Sequence, residues 1–162
     1  MGAKIVKQDF VLTRVFDAPV ERVWKLWTEP ELVKRWWGPD RFTCPVAKID
    51  FRVGGTSLVG MHNPQFGENF STWHYREIEP LERIVYIHNL ADKDGNKVDP
   101  AAMGFPTEFP QDVLNTVVFT RLGKDRTEMV ITEHAWPMIP MRDFAKLGLE
   151  QCMAKMAAAL GP

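Results

Sequence analysis

Four histidines, two cysteines and 21 acidic residues supply most of the chemical potential in this 162-residue chain. His62, His74, His88 and His134 show neither HxH nor HExxH spacing, so the imidazoles are not arranged to hold zinc, and no metal is expected. No GxSxG elbow, phosphate loop or GxGxxG run occurs. That removes the usual serine-hydrolase, nucleotide and dinucleotide chemistries, and no cofactor is expected. Glu77 and His88 lie on successive strand-like segments and could meet across a hairpin as a general acid/base pair. The same two groups would serve equally as a buried hydrogen bond, so they are weak catalytic candidates. Cys44 and Cys152 are far apart and belong to no CxxC. With no signal peptide visible, they read as reduced thiols in a cytoplasmic protein.

Binding chemistry is better supplied than catalysis. Alternation along 69–79 puts Ser71, Trp73, Tyr75 and Glu77 on one face, and along 82–90 it groups Ile84, Tyr86, His88 and Leu90. In 56–62 the matching face carries Ser57, Val59 and Met61. If these faces look inward, Trp73, Tyr75, Tyr86 and His88 place a few polar tips in an apolar wall. That is the composition of a small-molecule site. The alternative is that the tips bond to backbone or buried water. Six Trp, ten Phe and eight Met suit a broad, adaptable apolar interior.

The elements that must carry these residues can be read from periodicity. Residues 4–16 alternate at Phe10, Leu12 and Phe16 and read as a strand. Asp17-Ala18-Pro19 opens a helix with Val20, Val23, Trp24 and Trp27 on one face. Thr28-Glu29-Pro30-Glu31 has the form of a capping box for a second short helix through Trp36, stopped by Gly38-Pro39. Strand-like runs follow at 45–52, 56–62, 69–79, 82–90, 113–121 and 126–135, with short turn signals between most of them. With the first strand that makes seven, joined mostly by short links and therefore antiparallel. Residues 91–112 hold Pro100, Pro106 and Pro110 together with Phe105 and Phe109. A loop of that length is a lid, a binding loop or a disordered insertion, and the two phenylalanines favour docking as a lid.

Residues 141–160 form an amphipathic helix. The middle of its apolar side holds small residues, Gly148 and Cys152, which leave room for close packing or for a ligand. The adjacent Trp36 and Trp37 end the second helix. Neighbours on a helix point about 100° apart, so either both are structural or one also touches a cavity.

Bulk composition excludes several classes. Hydrophobic residues make up 45% and charged residues 25%, an ordinary globular balance, and the length suits one domain over 1–162. The net charge of −1 gives no electrostatic reason to expect nucleic acid or an anionic membrane as partner. No apolar run approaches the ~20 residues of a membrane span.

The segment Arg14-Val15-Phe16-Asp17-Ala18-Pro19, with Val23-Trp24, Trp27-Thr28, Pro30-Glu31 and Trp36-Trp37-Gly38-Pro39, resembles the N-terminal signature of one branch of the SRPBCC superfamily. This is the group related to the activator of the Hsp90 ATPase. Asp50-Phe51-Arg52-Val53-Gly54-Gly55 resembles its next motif, and Glu77-Ile78-Glu79-Pro80 with Arg83-Ile84-Val85-Tyr86 resembles the hairpin after it. The resemblance implies an α+β helix-grip (Bet v 1-like/START) fold. In it a curved seven-stranded antiparallel sheet, with two short helices, wraps a long C-terminal helix and leaves a cavity. Members of the superfamily bind apolar molecules, and some are cyclases or hydrolases. Trp73 stands where relatives often carry a small residue, and Gly148-Leu149 where they often show Gly-Trp. An aromatic has moved from helix to sheet.

The expected function is binding of a small apolar or aromatic ligand between the sheet and the C-terminal helix. Sheet-borne candidates for the wall are Met61, Trp73, Tyr75, Tyr86 and His88. Trp37, Phe105, Phe109, Gly148 and Cys152 would complete it from the helices and the loop. One alternative is a protein-interaction role resembling a co-chaperone, although no exposed apolar stripe is legible. A second is a cofactor-free cyclase or hydrolase. A homodimer is left open.

Overall fold

The computed structural model describes residues 5–161, so Lys4 of the expected first strand lies outside the described residues. Strand β1 runs Lys7–Phe16 and buries Phe10, Leu12 and Phe16 by simple alternation. Helices α1 (Val20–Thr28) and α2 (Pro30–Trp36) follow. The expected capping box does not form. Thr28 is still the last residue of α1, and a single extended residue, Glu29, separates the helices and caps α2 without a side-chain bond. Pro30 at the first position of α2 has no N–H to be capped. Glu31 is turned out to Lys34, 3.3 Å away.

Strands β2 (Thr43–Lys48), β3 (Thr56–Asn63), β4 (Gly67–Glu79), β5 (Arg83–Ala91), β6 (Val113–Arg121) and β7 (Thr127–Pro137) complete one sheet. Their order is β1-β7-β6-β5-β4-β3-β2, and every neighbouring pair is antiparallel. The strand expected to reach residue 52 stops at Lys48, because the chain must fold back over Asp50 to reach β3. At Gly55 a Cβ would lie 2.5 Å from the Asp50 carbonyl oxygen, so only glycine permits that return.

The chain closes with α3 (Met141–Leu160), whose backbone comes near α1, α2 and edge strand β1. The Arg22 guanidinium donates to the Leu160 carbonyl, fixing the end of α3 to α1. The seven antiparallel strands, two short helices and long terminal helix are the helix-grip architecture expected from the sequence.

An aromatic cluster fills the grip beneath α1 and α2. Trp36 is fully buried and stacks on Trp73 of β4, with centroids 5.8 Å apart and 13° between planes. Trp27 tilts against both, at 4.7 Å from Trp36 and 5.9 Å from Trp73. The Trp36 indole N–H donates to the Leu26 carbonyl at 2.6 Å, closing α2 back onto α1. Trp37 stands edge-on to Trp73 and is only partly buried. The adjacent tryptophans therefore divide the work: one is core and its neighbour faces open space. Trp36→Ala is expected to cost about 3–5 kcal/mol in urea unfolding, the range for a large aromatic removed from a core. Trp37→Ala is expected to cost less than half as much. Equal, small losses for the two would show that the stack does not hold the helical layer in place.

Candidate functional site

Where α3 stands away from the centre of the sheet, a cavity of about 440 Å³ remains. Each wall comes from a different element. Met61 of β3, Ser71 of β4, and Tyr86 and His88 of β5 project from the sheet. Trp37, Pro39 and Phe42 close the end beneath the α2 turn, and Gly148, Leu149 and Cys152 of α3 form the roof. That turn is held by Lys155, whose ammonium donates to the carbonyls of Gly38, Pro39 and Phe42 at 2.8–3.0 Å. Phe144, Leu147 and Asp40 line the cavity and are exposed, so they mark where it meets solvent.

Eight of the ten residues expected to bind a ligand line this space: Trp37, Met61, Tyr86, His88, Phe105, Phe109, Gly148 and Cys152. Trp73 and Tyr75 do not. Both point inward, but Trp73 is sealed behind Trp36 and Trp37. Tyr75 shares a 2.7 Å hydrogen bond with Ser57, whose hydroxyl also accepts from the Asp50 N–H, so its polar tip is satisfied by the protein. Glu77 is not inside at all. The β4–β5 register shifts between Tyr75 and Glu77, which turns the Glu77 carboxylate outward to Arg83 at 2.9 Å. Glu77 lies opposite Val85 while His88 lies opposite Trp73, so the suggested acid/base pair does not exist.

The wall carries a carboxyl that strand alternation did not single out. Glu133 lies in β7 directly opposite Asn115 of β6, and Asn115 lies opposite Tyr86 of β5. The three form a polar row across the inner face, and all line the cavity. A bulge between β1 and β7, with Ala135 at φ 54°, then brings Trp136 inward only three residues later. Its indole N–H donates to Glu133 Oε1 at 2.8 Å. The sequence held a signal for this: Met129 and Ile131 are buried at spacing two, which puts Glu133 next on an apolar face.

Burial sets the protonation of these groups. Glu133 is raised from the ordinary value of 4.5 to about 7 by loss of water, with the Trp136 bond opposing the shift. His88, its Nε2 buried without a partner among the described residues, is lowered from 6.5 to about 4 by the same desolvation. Burial also pushes the Cys152 thiol up to about 12, so it is no nucleophile near neutral pH.

The 92–112 connection is anchored, not a loose insertion. Gln111 donates to the Val98 carbonyl at 2.7 Å and accepts from the Leu90 N–H at 2.8 Å, standing in for a strand partner. Lys97 pairs with Asp112 at 2.7 Å. Phe105 rests on Phe109 with centroids at 4.7 Å, and Phe109 packs edge-on against Trp136 at 5.5 Å.

Glu133 and His88 act on stability with opposite signs. A raised carboxyl contributes fully below 4.5, and that contribution is lost as pH climbs to about 7. The lowered imidazole removes stability as pH falls from 6.5 to about 4. Glu133→Gln should therefore gain stability relative to the parent between pH 4.5 and 7, by on the order of 2–3 kcal/mol over that window. Denaturant unfolding of both proteins at pH 4.5, 6 and 7.5 reads the difference. A constant offset would mean that the carboxyl is hydrated in the folded state.

Comparison with known proteins places this geometry in a family. A family model described as "Activator of Hsp90 ATPase homolog 1-like protein" matches residues 17–161. A protein of solved structure from Chromobacterium violaceum is 27% identical, over 96% of this chain and 98% of that one, with a TM-score of 0.76. One from Arthrobacter aurescens is also 27% identical, over 94% of this chain and 86% of that one, with a TM-score of 0.77. A protein from Silicibacter pomeroyi named for the same family is 16% identical, over 94% and 96% of the two chains, with a TM-score of 0.74, and supports the fold alone. No curated protein matches. The chain belongs to the Activator of Hsp90 ATPase homolog 1-like family, within the SRPBCC helix-grip proteins.

Proposed function

We propose that this protein binds a small apolar or aromatic molecule in the cavity between the sheet and α3, and that it does so in the reducing cytoplasm. The observation that carries the reading is the cavity itself. Its volume of about 440 Å³ lies within the ~300–1,000 Å³ range of small-molecule sites. Its walls are mainly aromatic and aliphatic, with Tyr86, His88, Asn115 and Glu133 among a minority of polar groups. Both cysteines are buried free thiols, consistent with a reducing compartment. Among the described residues no helix is long and apolar enough to cross a membrane.

Access would run past Phe105 and the exposed Phe144 and Leu147. The last two were not legible as an exposed apolar patch in the sequence. Because they line the mouth of the cavity, they serve this reading before that of a partner-binding stripe.

A neutral environment-sensitive naphthalene dye tests the proposal. Its fluorescence should rise and shift to the blue on addition of the protein. Gly148→Leu should abolish that response and leave the circular dichroism spectrum unchanged. A Cβ at this position would sit at an ordinary 3.6 Å from Pro39, so the rest of the leucine side chain occupies cavity space. Dye uptake that Gly148→Leu leaves intact would place binding elsewhere. Phe105→Ala should speed dye release at nearly constant melting temperature. Phe109→Ala should speed release and also lower the melting temperature, since Phe109 supports Trp136 as well.

A further inference from the structure

Glu133 gives the cavity a charge preference. Its Oε1 accepts one hydrogen bond, from Trp136 at 2.8 Å, and among the described residues the carboxylate has neither a second side-chain bond nor an ion-pair partner. Among the described residues no lysine or arginine lines the cavity. Two cations of α3 make their contacts away from the cavity lining, although the Arg142 Nε is buried with no acceptor among the described residues. Lys155 is bound to three carbonyls, and Arg142 lies over the Phe10 ring and donates to the Asp9 carbonyl. The other titratable groups facing Glu133 across the cavity are the Tyr86 hydroxyl of β5, the Cys152 thiol of α3 and the His88 imidazole, with the Asp40 carboxylate at the mouth. Tyr86, Cys152 and His88 are all held in their neutral forms near pH 7 by burial. The site therefore pairs one deep, uncompensated carboxyl and one carboxylate at the rim with aromatic walls. Aromatic faces attract cations by ~0.5–2 kcal/mol each when water is excluded.

We infer that the cavity is built for an apolar ligand carrying a basic nitrogen, with Glu133 as its counter-ion and Asn115 beside it as a second polar contact. This deepens the ligand-binding reading above and rests on it. An alkylammonium against Glu133 supplies the missing positive charge and can donate to the free carboxylate oxygen. Asn115 uses its amide N–H on the Val113 carbonyl, which leaves its amide oxygen as an acceptor. An anionic ligand such as a fatty acid would meet the like charge of Glu133 and be disfavoured.

Three naphthalene ligands of one size separate the possibilities: 1-naphthylmethylamine, 1-naphthalenemethanol and 1-naphthoic acid. Their affinities would be measured by calorimetry from pH 5.5 to 8.5, alongside the neutral dye. At pH 8 the amine should bind at least tenfold more tightly than the alcohol, and the acid should not bind detectably. Below pH 7 the amine's affinity should fall by up to about tenfold per pH unit as the Glu133 carboxyl takes up its proton. The alcohol's affinity should stay level. Glu133→Gln keeps an acceptor for Trp136 and should bring amine and alcohol to equal affinity. The inference is overturned if the two ligands bind alike at pH 8, or if the amine's advantage survives Glu133→Gln. In either case the cavity reading stands so long as the dye binds. If the variant does not fold, the pH profile of the parent protein decides alone, and a level amine profile overturns the inference. Absence of all binding, dye included, overturns both readings.

Discussion

The Trp36 indole lies almost parallel to that of Trp73, 5.8 Å away with 13° between planes, and this stack fixes how the helical layer meets the sheet. Burying an indole removes ~150–250 Å² from water, an upper bound of roughly 4–6 kcal/mol per ring. The cluster contains four such rings, each within about 6 Å of at least two others. The indole N–H groups of Trp27, Trp37 and Trp73 are buried with no acceptor among the described residues, at ~1–3 kcal/mol each, so the apolar gain is only partly offset. Trp36 alone has its N–H satisfied, by the carbonyl of Leu26. That single bond holds the turn between the two helices in place, and the Gly38-Pro39 turn beyond α2 is then fixed by Lys155 of α3.

Filling one end of the grip this way leaves the other end open. With Trp73 on the sheet, the indole volume sits under α1 and α2, while Gly148 and Cys152 stand in the roof over the central strands. Side-chain volume is therefore large on the sheet at Trp73 and small on the helix at Gly148 and Cys152, and the polar row of the remaining space stands on β5, β6 and β7. Tyr86 and His88 come from β5, Asn115 from β6 and Glu133 from β7. Their chemistry is set by burial, since neither Glu133 nor His88 has an ion-pair partner among the described residues.

Much of this was legible in the sequence because it depends on local pattern. Period-two alternation grouped Phe10, Leu12 and Phe16, and likewise Ser57 with Val59, Ser71 with Trp73 and Tyr75, and Tyr86 with His88, on shared faces, and burial shows that those faces are the inner ones. The family resemblance supplied the wrapping of the sheet around the terminal helix. What escaped was wherever alternation breaks. The bulge after Tyr75 reverses Glu77, and nothing in Trp73–Glu79 announces it. The expected capping box failed because two helices separated by one residue leave Thr28 inside the first of them. Which inward aromatics would be sealed and which would face space depended on the neighbours supplied by α2, and those are contacts at long sequence separation.

The two bulges together decide what chemistry the cavity holds. One removes a carboxylate from the interior: by residue 77 the strand has slipped, and the acid finds Arg83 in solvent. The other places a carboxyl and an indole side by side on the inner face, which unbroken alternation would forbid for residues three apart. A carboxyl in that position is costly to ionise, since desolvation raises it to about 7 and only one hydrogen bond opposes the shift. An apolar residue of similar size would avoid that penalty but would leave the Trp136 indole N–H without its acceptor. The Trp136 bond therefore accounts for part of what Glu133 does in the fold, and on the proposed reading a ligand that brings a compensating charge or hydrogen-bond donor would offset the rest of its cost. Sites that sacrifice stability in this way are characteristically binding or catalytic. Here the cost falls on Glu133 and on the unpartnered His88 in the open half of the grip, while the indole stack fills the other half.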